Sequence, residues 1–467
     1  MANNYLDFFR ALCAIPHGSG NTAGVSDYCE AFAKRRGLRC IREACGNSLI
    51  FKDGTGAPDA EPVILQGHLD MVCAARPGKR IDFLTEGLTL RQSGDFLLAD
   101  GTSLGGDDGI AVAYALAILD SDTLVHPPLE VVFTVDEETG MNGAMALDTA
   151  PLRGRMLINV DSEEEGTLLT SCAGGARADL TWRGERAAVS DTAALRVTLS
   201  GFLGGHSGTE IDKSRQNAIL VLAKLLAACG VRRLASIGGG TADNAIPSVA
   251  AAVLPGGAAP ADRLRKAFDA MKPAFLPAEQ AAVLTEEPAT VTDAFTEDAT
   301  KNLLDFLCGV PDGVIAMSAD VPDLVQTSLN LGILKTDGET VTSSHALRSS
   351  VDAEKAALIG RLTDHAARYG ANCSTHSAYP AWEFRPHSRL RDAFCAAYAD
   401  LYGKELRLSA IHAGLECGIF CGKVPGLDCV SMGPDIFDIH SPDERLSLPS
   451  AERTYRLLCA VLKTLAG

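Results

Sequence analysis

The chain has 467 residues, 46% of them hydrophobic and 22% charged, with a formal net charge of −17. That length exceeds what one compact core usually serves, so two domains are expected, and the composition is that of a soluble globular protein. The acidic balance disfavours nucleic acid or an acidic membrane surface as partner; it reads as a solubility device, or as carboxylates that a bound cation would partly neutralise.

In chain order, the opening stretch MANNYLDFFRALCAIPHGSGN has neither a basic run nor a long apolar core, so it does not read as a secretion signal. PVILQG from Pro62, LEVVFTV from Leu129 and MLINV from Met156 are continuous, β-branched-rich runs of strand length. Such runs are typical of strands buried on both faces of an α/β sheet. Between them, Asp108 to Leu119 reads as a buried helix, well short of the ~20 apolar residues that span a bilayer.

The middle of the chain changes style. LRVTLSG, a helix from Lys213 to Ala228, RRLASIG, AAAVLP and a helix from Ala261 to Met271 form a first α+β set. A helix from Asp298 to Leu307, SLNLGILKT, TVTSSHALRSS, a helix from Asp352 to Arg368 and NCSTHSAY form a second. The last part returns to the first style, with a helix from Arg389 to Tyr402, the strand DCVSM from Asp428 and a closing helix from Ala451 to Leu465. The expectation is a split α/β domain over 1–175 and 385–467, with a central, mostly parallel sheet, interrupted by α+β units over 176–384. The fourteen cysteines are scattered, often in apolar runs, and read as buried free thiols of a reducing cytoplasm.

Acidic and histidine residues gather where these strands end and helices begin. QGHLD places His68 and Asp70 after VIL; VDEE places Glu137 and Glu138 after VVFTV; NVD places Asp161 after MLIN. GGDDG sets Asp107 in a glycine-rich turn opening a helix, and FDIHSPDE sets His440 in the loop after CVSM. Ligands of open α/β sheets bind at the carboxyl ends of the strands. Taken singly, HxD is more often a turn, an Asp pair an N-cap and an EE pair solvated surface. Packed together without a cation, such carboxylates would raise one another's pKa and cost stability. The histidine-plus-carboxylate set suits zinc, manganese or cobalt in a hydrolytic site, where a bridging carboxylate allows two ions ~3.5–4 Å apart to clamp a water. Neighbouring residues of a regular strand face opposite ways. Glu137 and Glu138 therefore share a site only if the strand breaks there, one binding metal and the other acting as general base.

The motifs IPHGSGN, GHLDMV, TSLGGDDGIAVA, DEETGMNGA, INVDSEEEG, SGFLGGHSG, DNAIP, LRSSVD, IHAGLECGIF and HSPDERL run nearly the full length. In them the chain resembles the aminoacyl-histidine dipeptidases, carnosinase-type members of the di-zinc aminoacylase and carboxypeptidase G superfamily. The resemblance implies that His68 and Asp161 hold one metal, Glu138 and His440 the other, and that Asp107 bridges them. Asp70 would orient His68 from behind, and Glu137 would activate the water and pass its proton to the leaving amine. It further implies a catalytic domain with an inserted lid of two ferredoxin-like units. From that lid His206 would stabilise the oxyanion, Asn244 would lie nearby, and Arg348 would grip the substrate carboxylate with its planar fork. Glu416 would lie close to the substrate loop, with turn or structural duty an equal alternative.

The expected enzyme is a cytoplasmic two-metal dipeptidase acting on Xaa-His substrates such as β-alanyl-histidine, with a homodimer possible. Its alternatives are a tripeptidase, aminoacylase or deacylase on the same metal floor, or a silent binding relative. A silent relative usually loses a ligand or the base, and here every expected position is filled.

Overall fold

In the computed structural model, residues 5–55, 58–319, 321 and 323–467 are described. The chain divides into two compact units. One comprises Met1–Cys172, Phe384–Ala410 and Leu415–Gly467, the other Ala173–Glu383 and Ile411–Gly414.

The first unit is built on an eight-stranded sheet in the order Arg39–Arg42, Ser48–Lys52, Leu129–Thr134, Val63–His68, Met156–Asn159, Asp428–Ser431, Thr167–Cys172 and Arg407–Ile411. The four strands from Leu129–Thr134 to Asp428–Ser431 run parallel to one another, with antiparallel strands towards the edges. The three parallel strands nearest the site are buried at every position, as their largely apolar sequences predict. Helix Gly106–Asp120 packs beside strand Val63–His68 and is buried over all but its last residue. Gly67 permits that approach, since a Cβ there would stand 2.6 Å from both Ala111 Cβ and Asp108 Oδ2. On the helix's other side Tyr114 packs against Tyr5 and Tyr455, with ring centroids 5.1 and 5.3 Å away. Its hydroxyl donates to the Ala451 carbonyl at 2.6 Å, so the buried ring keeps a polar partner.

A smaller four-stranded antiparallel sheet, Ile436–Phe437, Arg445–Ser447, Phe96–Ala99 and Leu90–Ser93, completes the first unit. The loop joining its first two strands carries His440. The closing helix begins at Leu448, earlier than expected, because Ser447 accepts the Ser450 N–H and caps it.

The second unit carries one nine-stranded sheet in which every recorded pairing is antiparallel. Strands of the two expected α+β sets run together in it, joined where Gly239 pairs with Leu334. Helices Ala218–Ala228, Ala261–Met271, Glu297–Gly309 and Asp352–Arg368 share its apolar core. The helix expected from Lys213 starts only at Ala218, because Asn217 turns its side chain to accept the Ile219 and Leu220 N–H groups. Among the described residues no helix is long and apolar enough to cross a membrane.

Candidate active site

Three parallel strands of the first unit end side by side, with His68 in register with Thr134 and Gln66 with Asn159. His68 is the last residue of its strand. Asp161 follows two residues after Asn159, and Glu137 and Glu138 follow shortly after Thr134. The chain breaks from strand geometry in between: Asp136 has a φ of 55°, a left-handed conformation that Asp tolerates better than most residues. That break brings both glutamates to one site.

Asp107 comes from the distorted opening turn of helix Gly106–Asp120, where it and Asp108 depart from helical dihedrals and are joined by a cis peptide. Its Oδ1 lies 3.1 Å from His68 Nε2 and its Oδ2 lies 3.2 Å from His440 Nε2. His68 Nε2 also lies 3.5 Å from Asp161 Oδ1, and His440 Nε2 lies 3.0 Å from Glu138 Oε1. Donor atoms of His68, Asp107 and Asp161 form one group within 4.8 Å, and those of Asp107, Glu138 and His440 form another. Asp107 belongs to both. A third group joins His68 with Glu137 and Glu138.

The chemistry of these atoms fits a cation in each group. His68 Nδ1 lies 2.9 Å from the Asp70 main-chain carbonyl, which only accepts, so Nδ1 carries the proton. Nε2 faces the carboxylates of Asp107 and Asp161. Burial disfavours charge on the ring, but these carboxylates outweigh it and push its pKa well above the ordinary value, so they draw onto Nε2 a positive charge that a cation between them could supply instead. Among the described residues Glu138 Oε1 is buried and without hydrogen-bonding geometry to any partner, despite its 3.0 Å approach to His440. Charge balance points the same way. Burial, then the charges of Asp161, Glu416 and Glu138, outweigh the opposing pull of His68 and push Glu137 well above the usual carboxylate range. The hydrogen bond to Asp107 and the Glu138 carboxylate 3.0 Å away push His440 up to about 10. Burial would raise Asp107 as well, but the hydrogen bonds from His440 and His68 overcome it and keep that carboxyl low.

Asp70 works differently from the expected carboxylate-behind-histidine arrangement. Its main-chain carbonyl takes the His68 hydrogen bond, while its carboxylate stands 3.6 Å from Nδ1. That carboxylate accepts from Ser19 Oγ at 2.8 Å and from the Glu137 and Glu138 N–H groups at 3.0 and 3.3 Å. Asp70 thus fixes the glutamate turn as well as His68.

Glu416 requires a correction. It is 0% exposed, so it offers nothing to a substrate from solvent. Its carboxylate accepts from Gln66 Nε2 at 2.5 Å and Thr134 Oγ1 at 2.7 Å, and Gln66 in turn accepts from Asn159 Nδ2 at 2.6 Å. These three partners lie on the three strands that end in the site, two to four residues before its ligands and base. Burial pushes Glu416 up to about 7.

In the second unit, His206 Nδ1 accepts from the Gly208 and Thr209 N–H groups at 3.3 and 3.2 Å. The neutral ring therefore carries its proton on Nε2, as a donor. Burial, then the Arg348 charge, lowers its pKa and favours that neutral form. Asn244 lies on the partner segment of the short ladder that pairs His206 with Ala245, and its carbonyl accepts the Ser207 N–H at 2.8 Å. Arg348 is only 5% exposed; it donates to Tyr379 Oη at 3.3 Å, and its Nε has no partner among the described residues. His412, to which no role fell from the sequence, hydrogen-bonds Ser328 Oγ at 2.7 Å, and Ser328 is the ladder partner of Arg348. Only its place in IHAGLECGIF had marked it.

The description Peptidase family M20/M25/M40 matches residues 64–464. The chain is 35% identical over 468 aligned residues to the "Cytosol non-specific dipeptidase" of Escherichia coli (strain K12), covering 98% of this chain and 96% of that protein. Its fold superimposes on the aminoacylhistidine dipeptidase of Vibrio alginolyticus with a TM-score of 0.91 at 34% identity, over 98% of this chain and 96% of that one. A more distant likeness in fold is to aminopeptidase PepT of Bacillus cereus, with a TM-score of 0.63 at 16% identity over 99% and 98% of the two chains.

Proposed function

The chain belongs to peptidase family M20/M25/M40, and on that premise we propose that it hydrolyses dipeptides in a metal-dependent reaction, with Xaa-His peptides such as β-alanyl-histidine among its substrates. The observation that carries the reading is the placement of one carboxylate, Asp107, with an oxygen turned to each of two histidines from distant parts of the chain.

His68 and Asp161 would hold one divalent cation, Glu138 and His440 a second, and Asp107 both. Zinc is the first choice for these donors, with manganese and cobalt also suited to them. Bound there, the ions would supply Lewis acidity to the peptide carbonyl and make an attacking water more acidic.

The protein's own groups do the rest. Glu137, bound by its main chain to Asp70 and left outside both ligand sets, takes the proton of the attacking water and returns it to the leaving amine. His206 offers an Nε2–H to the oxygen that gains charge at the tetrahedral stage. Arg348, with a buried and unengaged Nε, pairs with the terminal carboxylate of the peptide. Asn244 adds a polar contact beside His206. The Escherichia coli relative bears "Cytosol" in its name, which accords with the cytoplasmic location expected from the scattered cysteines.

A panel of dipeptides, a tripeptide and an N-acyl amino acid, assayed before and after chelation, tests the reading. Chelator-sensitive turnover highest on dipeptides is expected. Preference for the N-acyl amino acid would replace the dipeptidase assignment with an aminoacylase one.

A further inference from the structure

We propose that Glu444 is a positioning residue that sets the shared ligand Asp107 by holding the main chain leading into it. The proposal rests on the reading of Asp107 as a metal ligand.

Glu444 is 2% exposed, and a buried carboxylate needs strong compensation. Four main-chain N–H groups supply it. Leu104 and Gly105 donate to Oε2 at 2.7 and 3.1 Å, and Gly106 and Asp107 donate to Oε1 at 2.8 and 3.3 Å. These donors belong to the turn and first residues of helix Gly106–Asp120, which would otherwise be unpaired and which favour a negative charge. A local Ser or Asp would ordinarily cap such a helix. Here the cap comes from more than 300 residues further along the chain. The glycines of TSLGGDDG suit this grip: Gly105 has a φ of 66°, and a Cβ on Gly106 would stand 3.2 Å from Glu444 Oε1.

Glu444 also lies four residues after His440, in the same loop between strands Ile436–Phe437 and Arg445–Ser447. That loop therefore provides one metal ligand with His440 and clamps another with Glu444. The clamp closes a ring: Glu444 to the Asp107 main chain, the Asp107 side chain to His440 Nε2, and His440 back along the loop to Glu444. A ligand set of this kind holds its geometry only to the tolerance of the groups behind it, about 0.5 Å for a competent site. The sequence placed Glu444 in HSPDERL without giving it a task.

Glu130 provides a matched control. It is 5% exposed and accepts the Arg153 N–H at 2.9 and 3.0 Å and the Gly154 N–H at 3.0 Å. It is thus a buried carboxylate on main-chain donors in the same unit, but it lies at the opposite end of strand Leu129–Thr134 from the site, and the Arg153–Gly154 segment it holds carries no ligand.

The test titrates Zn²⁺ calorimetrically into chelator-stripped, full-length wild type, Glu444→Gln and Glu130→Gln, with thermal melting of each. The amide at 444 turns a donor towards N–H groups that need an acceptor. Glu444→Gln is expected to weaken Zn²⁺ binding by about 10- to 100-fold and to lower kcat more than it changes KM. Glu130→Gln is expected to melt earlier yet bind Zn²⁺ as wild type does. Glu444→Asp, which keeps the charge and shortens the reach, gives the same reading should the amide variant fail to fold. Tight wild-type binding with unchanged affinity in the Glu444 variants would overturn the proposal alone, as would an equal loss in Glu130→Gln. A wild type that takes up no Zn²⁺ would overturn the metal centre and this proposal together.

Discussion

Gln66 donates its side-chain amide to the Glu416 carboxylate at 2.5 Å, directly beneath the strand ends that carry the candidate ligands. Thr134 joins the same carboxylate and Asn159 joins Gln66, so one buried acid links the Val63–His68, Leu129–Thr134 and Met156–Asn159 strands. Glu416→Ala should leave buried donors unsatisfied and destabilise the protein by about 1–3 kcal/mol. Urea unfolding measures this. A variant as stable as wild type would show that the link contributes nothing.

Glu137→Gln should lower kcat on β-alanyl-histidine by about 10²- to 10⁴-fold, the range expected for loss of a general base. Both metals should remain bound, because Glu137 lies outside the two groups that Asp107 joins. Metal analysis beside steady-state kinetics separates the two effects. Turnover close to wild type would exclude Glu137 as the base.

Arg348→Lys should raise KM for dipeptides by tenfold or more while changing kcat less, since an ammonium cannot reproduce the two-pronged grip of a guanidinium. A dipeptide with an amidated C-terminus should be a poor substrate of wild type and nearly indifferent to the substitution. Equal KM changes on the free acid and the amide would remove Arg348 from carboxylate binding.

Much of this architecture was legible in the sequence because burial on both faces leaves largely apolar runs of strand length. PVILQG, LEVVFTV and MLINV could be read as parallel strands, and the polar residues at their ends as one floor. What lay beyond reach were contacts between residues far apart in the chain. Nothing local in GLECG announces that Glu416 lies wholly inside the protein, bound to Gln66 and Thr134. Nor does GHLD reveal that Asp70 uses its main-chain carbonyl on His68 and its carboxylate on the Glu137 turn. The helix expected from Lys213 begins at Ala218 because the Asn217 side chain caps it there. Glu444 and His412 lay within motifs already noted, but their partners are set by the fold alone.

Away from the site, Asp312 should make the stability of the second unit depend on pH. Burial pushes its carboxyl up to about 7 from an ordinary 3.8, against hydrogen bonds from the Leu331 N–H at 2.7 Å and Asn217 Nδ2 at 3.4 Å. Because the folded pKa is the higher one, the native state holds the proton longer. Its contribution is then full below about pH 4 and lost as pH rises towards 7. Asp312→Asn, which cannot ionise, should gain on wild type over that interval, by on the order of 4 kcal/mol. Urea unfolding at pH 4.5, 6 and 8 measures the difference. A constant offset across the series would contradict the assignment.

Anomalous diffraction at the zinc edge, from crystals of the wild-type protein soaked in Zn²⁺, most directly tests a two-metal centre. Two peaks about 3.5–4 Å apart are predicted, one beside His68 and Asp161, the other beside Glu138 and His440, with an oxygen of Asp107 on each. A single peak, or a pair bound without Asp107, would contradict it.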